Sequence, residues 1–283
     1  VHWHLAQLAL SVIQSALDPS SMPSSTPPVS TAPVSTAPVS AAPVSAAPVS
    51  AAPVSAAPVS AAPLAPLPVT AQTRITRMPE RQRTDRAELY GILDEALVAH
   101  VAIVRDGLPL VLPMGFGRGG DALYLHGSTG SGIFRLMASG SPVSVTVTHL
   151  DGLVYARSLF DSSMNYRSAV VFGVPEVVAA ADKEEAMRAV SEHLMPGRWD
   201  EVRPMTKREL AATVVLRLPL AEASVKVRAH GASEEPDDGE DRAVWAGVVP
   251  LTVRAAAPEP SALTPAGTPT SAAAAAAAAA SAG

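Results

Sequence analysis

The sequence predicts a mainly β protein, an antiparallel sheet of six or more strands closed into a barrel and decorated by small helices. Three observations predict it. Short runs of alternating apolar and polar residues recur through the middle of the chain, as in Val143, Val145 and Val147 set between Ser144, Thr146 and Thr148. Tight turns such as Asp106-Gly107 join those runs. The helical stretches are too few to supply the crossover that a doubly wound parallel sheet needs after nearly every strand.

The elements follow in order. "RTDRAELYGILDEALVAH" opens on Asp85 with Glu88 three residues on, a capping-box-like start, and Leu89, Ile92, Leu93, Ala96 and Leu97 follow at helical spacing. "HVAIVRDGLPLVLPMGF" reads as two strands about the Asp106-Gly107 turn, and "GRGGDALYLHG" adds a turn and a strand. "GIFRLMASG" is a short helix stopped by Gly140. Asp151-Gly152 predicts a turn between two strands, and "YRSAVVFGVPEVVAA" a further pair bent near Gly173 and Pro175. Asp182 is the expected N-cap of the amphipathic helix "KEEAMRAVSEHL". A short helix and two strands follow in "TKRELAATVVLRLPLAEASVKVRA". An acidic loop then runs from Glu234 to Asp241, and "VWAGVVPL" closes as an edge segment.

This folded part spans residues 74–254 of the 283, long enough for one domain with a proper core. Residues 1–73 read as a disordered tether. Pro-Val-Ser recurs every fifth residue from Pro28 to Pro58, which forbids both a continuous helix and a strand ladder. The first 17 residues carry an apolar stretch with no Lys or Arg ahead of it, a poor secretory signal and too short for a membrane span. Met22 or Met78 is a candidate for the true start. Residues 255–283 form an Ala/Pro-rich tail expected to be disordered, ending in nine alanines, Ala272 to Ala280, with no amphipathic face to dock. There is no cysteine, hence no disulfide or thiol nucleophile, and a cytoplasmic protein is the simpler expectation. A net charge of −5 argues against a nucleic-acid binder. No membrane partner is expected either.

Most motif matches fail on their context. Gly115 to Gly120 fits G-x-G-x-x-G, but a strand follows where the dinucleotide fingerprint needs a helix. Neither Ser128 nor Ser131 is framed as G-x-S-x-G, so a triad with His126 and Asp151 has no local support. The seven histidines are scattered, with no ligand spacing for a metal in the folded part. What remains is "HGSTGSG", His126 to Gly132. Small and hydroxyl residues just before a helix let backbone N–H groups close around an anion, or Ser131 merely caps that helix. Arg157 and Arg167, in or beside strands, either face an anion or a partner subunit, or belong to a solvated face.

Taken in order and spacing, "LDEALVAHVAIVRDGLPLVLP", "GDALYLHGS", "VTVTHLDGLVYARS", "SMNYRSAVVFG" and "WAGVVPL" resemble the pyridoxamine 5′-phosphate oxidase-like FMN-binding split-barrel family, near its nitroimidazole-resistance branch. The resemblance covers residues 74–251. It implies a six-stranded antiparallel split β-barrel, a homodimer with FMN between the subunits, and a flavin-dependent oxidoreductase acting on a small molecule with a nicotinamide electron donor. It also implies site residues. Pro113, Met114, Gly115 and Phe116 resemble the strand end along the isoalloxazine, and His126, Gly127, Ser128 and Ser131 the ribityl and phosphate loop. Asn165, Tyr166, Arg167 and Ser168 match the family's "MNYRS" segment, and Trp245 its Trp-x-Gly motif. Two departures stand out. Gly132 replaces a basic residue of relatives, with Arg135 one turn on as a substitute. Asp161 and Ser162 stand where relatives carry histidines. No side chain demands a general acid or base role; Tyr166 and His126 are the candidates. A carrier or sensor of FMN, haem or a deazaflavin is the alternative, as is a homolog that has lost the cofactor, because one fold hosts several ligands.

Overall fold

The computed structural model describes residues 65–233 and 243–280. The repeat and the acidic loop lie outside them. The helix that opens on Asp85 is α1 (Arg86–Glu95); the Asp85 carboxylate accepts the Ala87 N–H, and Leu89, Ile92 and Leu93 turn into the core. Burying each of these side chains stabilises the fold by about 1.5–3 kcal/mol.

The strands are β1 (Gln82–Arg83), β2 (Val98–Arg105), β3 (Leu108–Gly119), β4 (Ala122–Ser128), β5 (Val143–Tyr155), β6 (Ser163–Gly173), β7 (Glu176–Val177), β8 (Thr213–Pro219), β9 (Glu222–Arg228) and β10 (Gly247–Pro250). Helices α2 (Gly132–Ala138), α3 (Lys183–Leu194), α4 (Arg198–Glu201), α5 (Lys207–Ala212) and α6 (Ala272–Ala280) complete the order. All pairings are antiparallel, and the order across the sheet is β1-β9-β6-β5-β2-β3-β4-β8-β7, with β10 added beside β5.

Ten strands therefore replace the six expected, and no ladder closes the ring among the described residues. β8 and β9 are joined by only two residues yet do not pair with each other. Leu220, between them, is fully buried and donates its N–H to the Asp121 carbonyl (3.0 Å), so the chain dips into the core as it passes from one half of the sheet to the other. The interior is shared all the same. One apolar cluster draws Leu216 and Leu218 from β8, Val225 from β9, and Val101, Val145 and Val171 from the strands between. The sheet is curled around that core and left open at one seam.

Several expectations meet their outcome here. Asp106 and Gly107 both have positive φ, 54° and 78°, as a primed hairpin turn demands. Asp151-Gly152 is not a turn: β5 runs straight through it, and the pairing with β6 shifts register there, a β-bulge. Gly152 is needed because β10 pairs alongside β5 there; a Cβ would meet the Val248 side chain at 3.0 Å and the Val249 carbonyl at 3.1 Å. Asp182 sits at the start of α3 but its side chain caps nothing. The full capping box is at α5, where Thr206 and Glu209 satisfy each other's backbone N–H groups. The folded part also begins before residue 74, since Leu67 is buried in the core and Thr73 is fully buried.

The alanine tail finds an anchor that the sequence did not suggest. Glu201 accepts the Ala273 N–H (2.9 Å) and the Ser271 hydroxyl, so a carboxylate from α4 caps the first turn of α6. No helix among the described residues is long and apolar enough to cross a membrane.

Candidate functional site

The glycine-rich end of β3 is shaped by packing. Gly115, Gly117 and Gly119 alternate onto one face of the strand, and α3 lies directly on that face. A Cβ on Gly117 would stand 2.6 Å from the Val190 Cα; one on Gly115 would meet Leu194 at 3.3 Å. The apparent dinucleotide fingerprint is thus a period-two stripe that lets a helix sit against strand backbone. Next to it, Phe116 is fully buried with the His193 ring 4.7 Å away, Met114 packs on the core, and Pro113 is exposed.

β4 lies beside β3 with Phe116 opposite Leu125, which brings the next candidates close. His126 is half-buried opposite fully buried Val215, and its Nδ1 is sealed without a partner; burial pulls its pKa below the usual imidazole value. Gly127 leaves room for the Phe134 ring, which a Cβ would overlap. In the loop beyond, Ser128 Oγ accepts the Gly130 N–H (3.1 Å), and the Thr129 N–H reaches the Ala212 carbonyl (3.0 Å). Ser131 occupies the N-cap position of α2, but its hydroxyl caps no N–H. Nothing stands within 4 Å of where a Gly132 Cβ would be, so the space at the loop is open. Arg135 is exposed one turn further on.

The second group lies on β6, separated from β3 by β5 and β2. Strand alternation splits it. Arg167 turns toward α1, where its guanidinium forks onto Asp151 (Nε–Oδ2 3.1 Å, Nη2–Oδ1 2.9 Å) and also holds Glu95 (2.7 Å). The Asp151 contact, helped by Glu95, raises its pKa further, so Arg167 is a committed cation. It lines a depression of about 340 Å³ with Arg83, Glu88, Gly91, Ile92, Glu95 and Val227. Tyr166 and Ser168 point to the opposite, outer face, and Ser168 Oγ donates to the Lys226 carbonyl (3.3 Å).

Asn165 holds a group that sequence reasoning missed. Its Oδ1 accepts from the Arg228 guanidinium, which also donates to the carbonyls of His230 (3.1 Å) and Gly231 (3.2 Å). Arg228 is 3% exposed, and its Nε is buried without a partner; burial, with Arg81 nearby, lowers its pKa. The only sequence signal was its place at the end of an alternating strand. Trp245 stands apart, 62% exposed beside β10, with its ring 5.9 Å from that of Tyr155 and folded over Gly247. The chain therefore brings together the β3 end and the β4–α2 loop, and leaves the β6 segment and Trp245 elsewhere. A larger depression, about 620 Å³, lies beside the start of α3 with Glu176, Asp182 and Glu185 in its lining, and holds none of the expected site residues.

The comparisons with known proteins agree with this architecture. Residues 85–227 match the family model described as pyridoxamine 5′-phosphate oxidase. Among solved structures, the FAD and haem binding protein from Mycobacterium smegmatis is 43% identical with a TM-score of 0.68, covering 70% of this chain and 97% of its own. The flavocytochrome Anf3 from Azotobacter vinelandii is 34% identical with the same TM-score, covering 72% and 95%. No curated protein matches the chain. The fold, a mainly antiparallel β sheet with small helices, and these likenesses define one class. This chain belongs to the pyridoxamine 5′-phosphate oxidase family.

Proposed function

We propose that the chain binds a flavin nucleotide, FAD ahead of FMN, passes electrons between it and a small molecule, and carries haem as a second cofactor. The observation that supports this most is the 43% identity, over nearly the whole of its length, to a protein named for binding FAD and haem. A flavin would supply the electron-transfer chemistry, and the protein the orientation and the electrostatics. The residues present fit its phosphate. The β4–α2 loop offers an uncommitted Ser131 hydroxyl and open space at Gly132, with the exposed cation Arg135 one turn on. Within the chain Arg167 braces α1 against β5 and β6 through Glu95 and Asp151.

A homodimer belongs to the same reading. The expected site residues fall into two groups with two strands between them, and a second copy is what would join one protomer's loop to the other's β6 segment. Leu159 and Phe160, at the β5–β6 tip, are each 96% exposed, which favours a protein partner there. A nicotinamide donor is the reductant we propose for turnover.

The test is retention of added flavin. The full chain is incubated with FAD or FMN, freed of excess, and the bound flavin is released and separated by chromatography. The double variant Ser131→Ala, Arg135→Ala is expected to retain at least about tenfold less, as loss of charge-assisted phosphate contacts predicts. Wild-type protein that retains neither flavin contradicts the proposal.

A further inference from the structure

Two features are left over by the packing of the chain itself, one protruding and one hollow. The protruding one is the tip between β5 and β6, where Leu159 and Phe160 stand side by side, each 96% exposed. The tip that carries them is a built turn. Ser158 Oγ accepts the Asp161 N–H (3.0 Å) and donates to the Asp161 carboxylate, and the Ser162 hydroxyl donates to the Ser158 carbonyl (2.9 Å). The Ala156 N–H closes the turn on Ser162 Oγ (3.2 Å). Two large apolar side chains are thus held out in water by backbone that needs little further ordering to bind.

The hollow is the depression of about 340 Å³ beside α1. Glu88, Gly91, Ile92 and Glu95 line it at i, i+3, i+4 and i+7, one stripe of the helix. Buried Ile92, with Val227 from β9, makes its lining apolar between the charges. Those charges are already matched, Glu88 with Arg83 (3.7 Å) and Glu95 with Arg167 (2.7 Å). A charged ligand would compete with these pairs, whereas an uncharged one leaves them standing. Gly91 sits in the middle of the stripe. Glycine inside a helix is less stable than alanine, and the chain's own packing does not call for it. A Cβ there would have no neighbour within 4 Å among the described residues, and its φ is not positive. Bare helix backbone is what the close approach of an outside group requires.

We propose that the Leu159–Phe160 tip of one copy seats in the α1 depression of a second copy, and that this contact anchors the homodimer. Knob and socket lie on the same chain. β6 runs from the tip at Ser163 to Arg167 at the rim, four residues or about 13 Å. A two-fold axis between them lets each copy fill the other, and the assembly closes at two. An aromatic side chain in a pocket ringed by paired charges is also the usual form of an interface hot spot. The inference rests on the homodimer of the proposed function, and the experiment separates the two.

The chain has no cysteine, so single introduced thiols report cleanly. Full-length Leu159→Cys and Glu88→Cys chains are co-expressed, treated with a short bismaleimide and run on a denaturing gel. Wild type and Gly91→Phe are compared by sedimentation, with circular dichroism reporting the fold. The added ring starts in open space, so it fills the socket without a clash at its first atom. The expected result is a band of twice the monomer mass from the mixture and from neither chain alone. Gly91→Phe is expected to raise the dimer dissociation constant at least about tenfold. A wild-type dimer that Gly91→Phe leaves unchanged, or a mixture that does not cross-link, overturns the socket while the homodimer stands. A wild type that stays monomeric overturns both and leaves the depression to another occupant.

Discussion

At the scale of single residues, the chain spends its glycines on close packing as much as on turns. Gly117 is the sharpest case, because the obstacle to a side chain is the backbone of α3 itself. Gly117→Ala is expected to destabilise the protein by about 1–3 kcal/mol or more, read as a lower urea midpoint with an unchanged slope. A neutral outcome would mean that α3 does not rest on the strand. His126 gives a pH signature. Its pKa is lowered by burial, so the unfolded chain takes up a proton before the folded one does. Stability contributed this way is present above the ordinary imidazole value and lost as pH falls through and below it. His126→Gln should flatten the drop in urea midpoint between about pH 7.5 and about pH 5.5. An unchanged drop would place the titration elsewhere.

Elements were legible in the sequence where local chemistry decided them. The Asp85 cap, the Asp106-Gly107 hairpin and the Gly140 stop at positive φ all rest on residues within a few positions of one another. Asp151-Gly152 misled because the same dipeptide serves a bulge where β10 pairs alongside β5, a partner about a hundred residues away that no local pattern encodes. Docking of α6 was hidden for the same reason. The contact is with Glu201, whose carboxyl is pulled down to about 2 by the Ser271 hydroxyl, the Ala273 N–H and Arg198. Its contribution is complete above the ordinary value of 4.5 and fades as pH falls toward about 2. Glu201→Gln should shift the alanine resonances of Ala273–Ala275 toward coil values at neutral pH, and acid should do the same to the wild type. Resonances that do not move would dissociate α6 from Glu201. The β5–β6 tip belongs to this scale too. Phe160→Asp is expected to shift sedimentation of the full chain from the proposed dimer, at twice the monomer mass, toward the monomer; an unchanged mass would acquit the tip.

For the whole molecule, the order of strands was less legible than their number of residues or their period. Alternation assigns each residue to a face, but nothing local says that β8 and β9 will part across a seam while Leu220 dips between them. The same limit applies to the site. The loop from His126 to Ser131 could be picked out as small, hydroxyl-bearing residues before a helix. The pairing of Arg167 with Asp151 and Glu95 and the burial of Arg228 come only with the fold. Each depends on which strands are neighbours.

The central claim is that this fold carries a flavin, and its most direct test is the absorbance spectrum of the full chain as purified and again after FAD is added and the excess removed. Bands at about 375 and about 450 nm are expected to stay with the protein through desalting, with a Soret band at about 400 nm once hemin is supplied. A protein that shows no flavin bands once added FAD has been removed would contradict it, whatever it does with hemin.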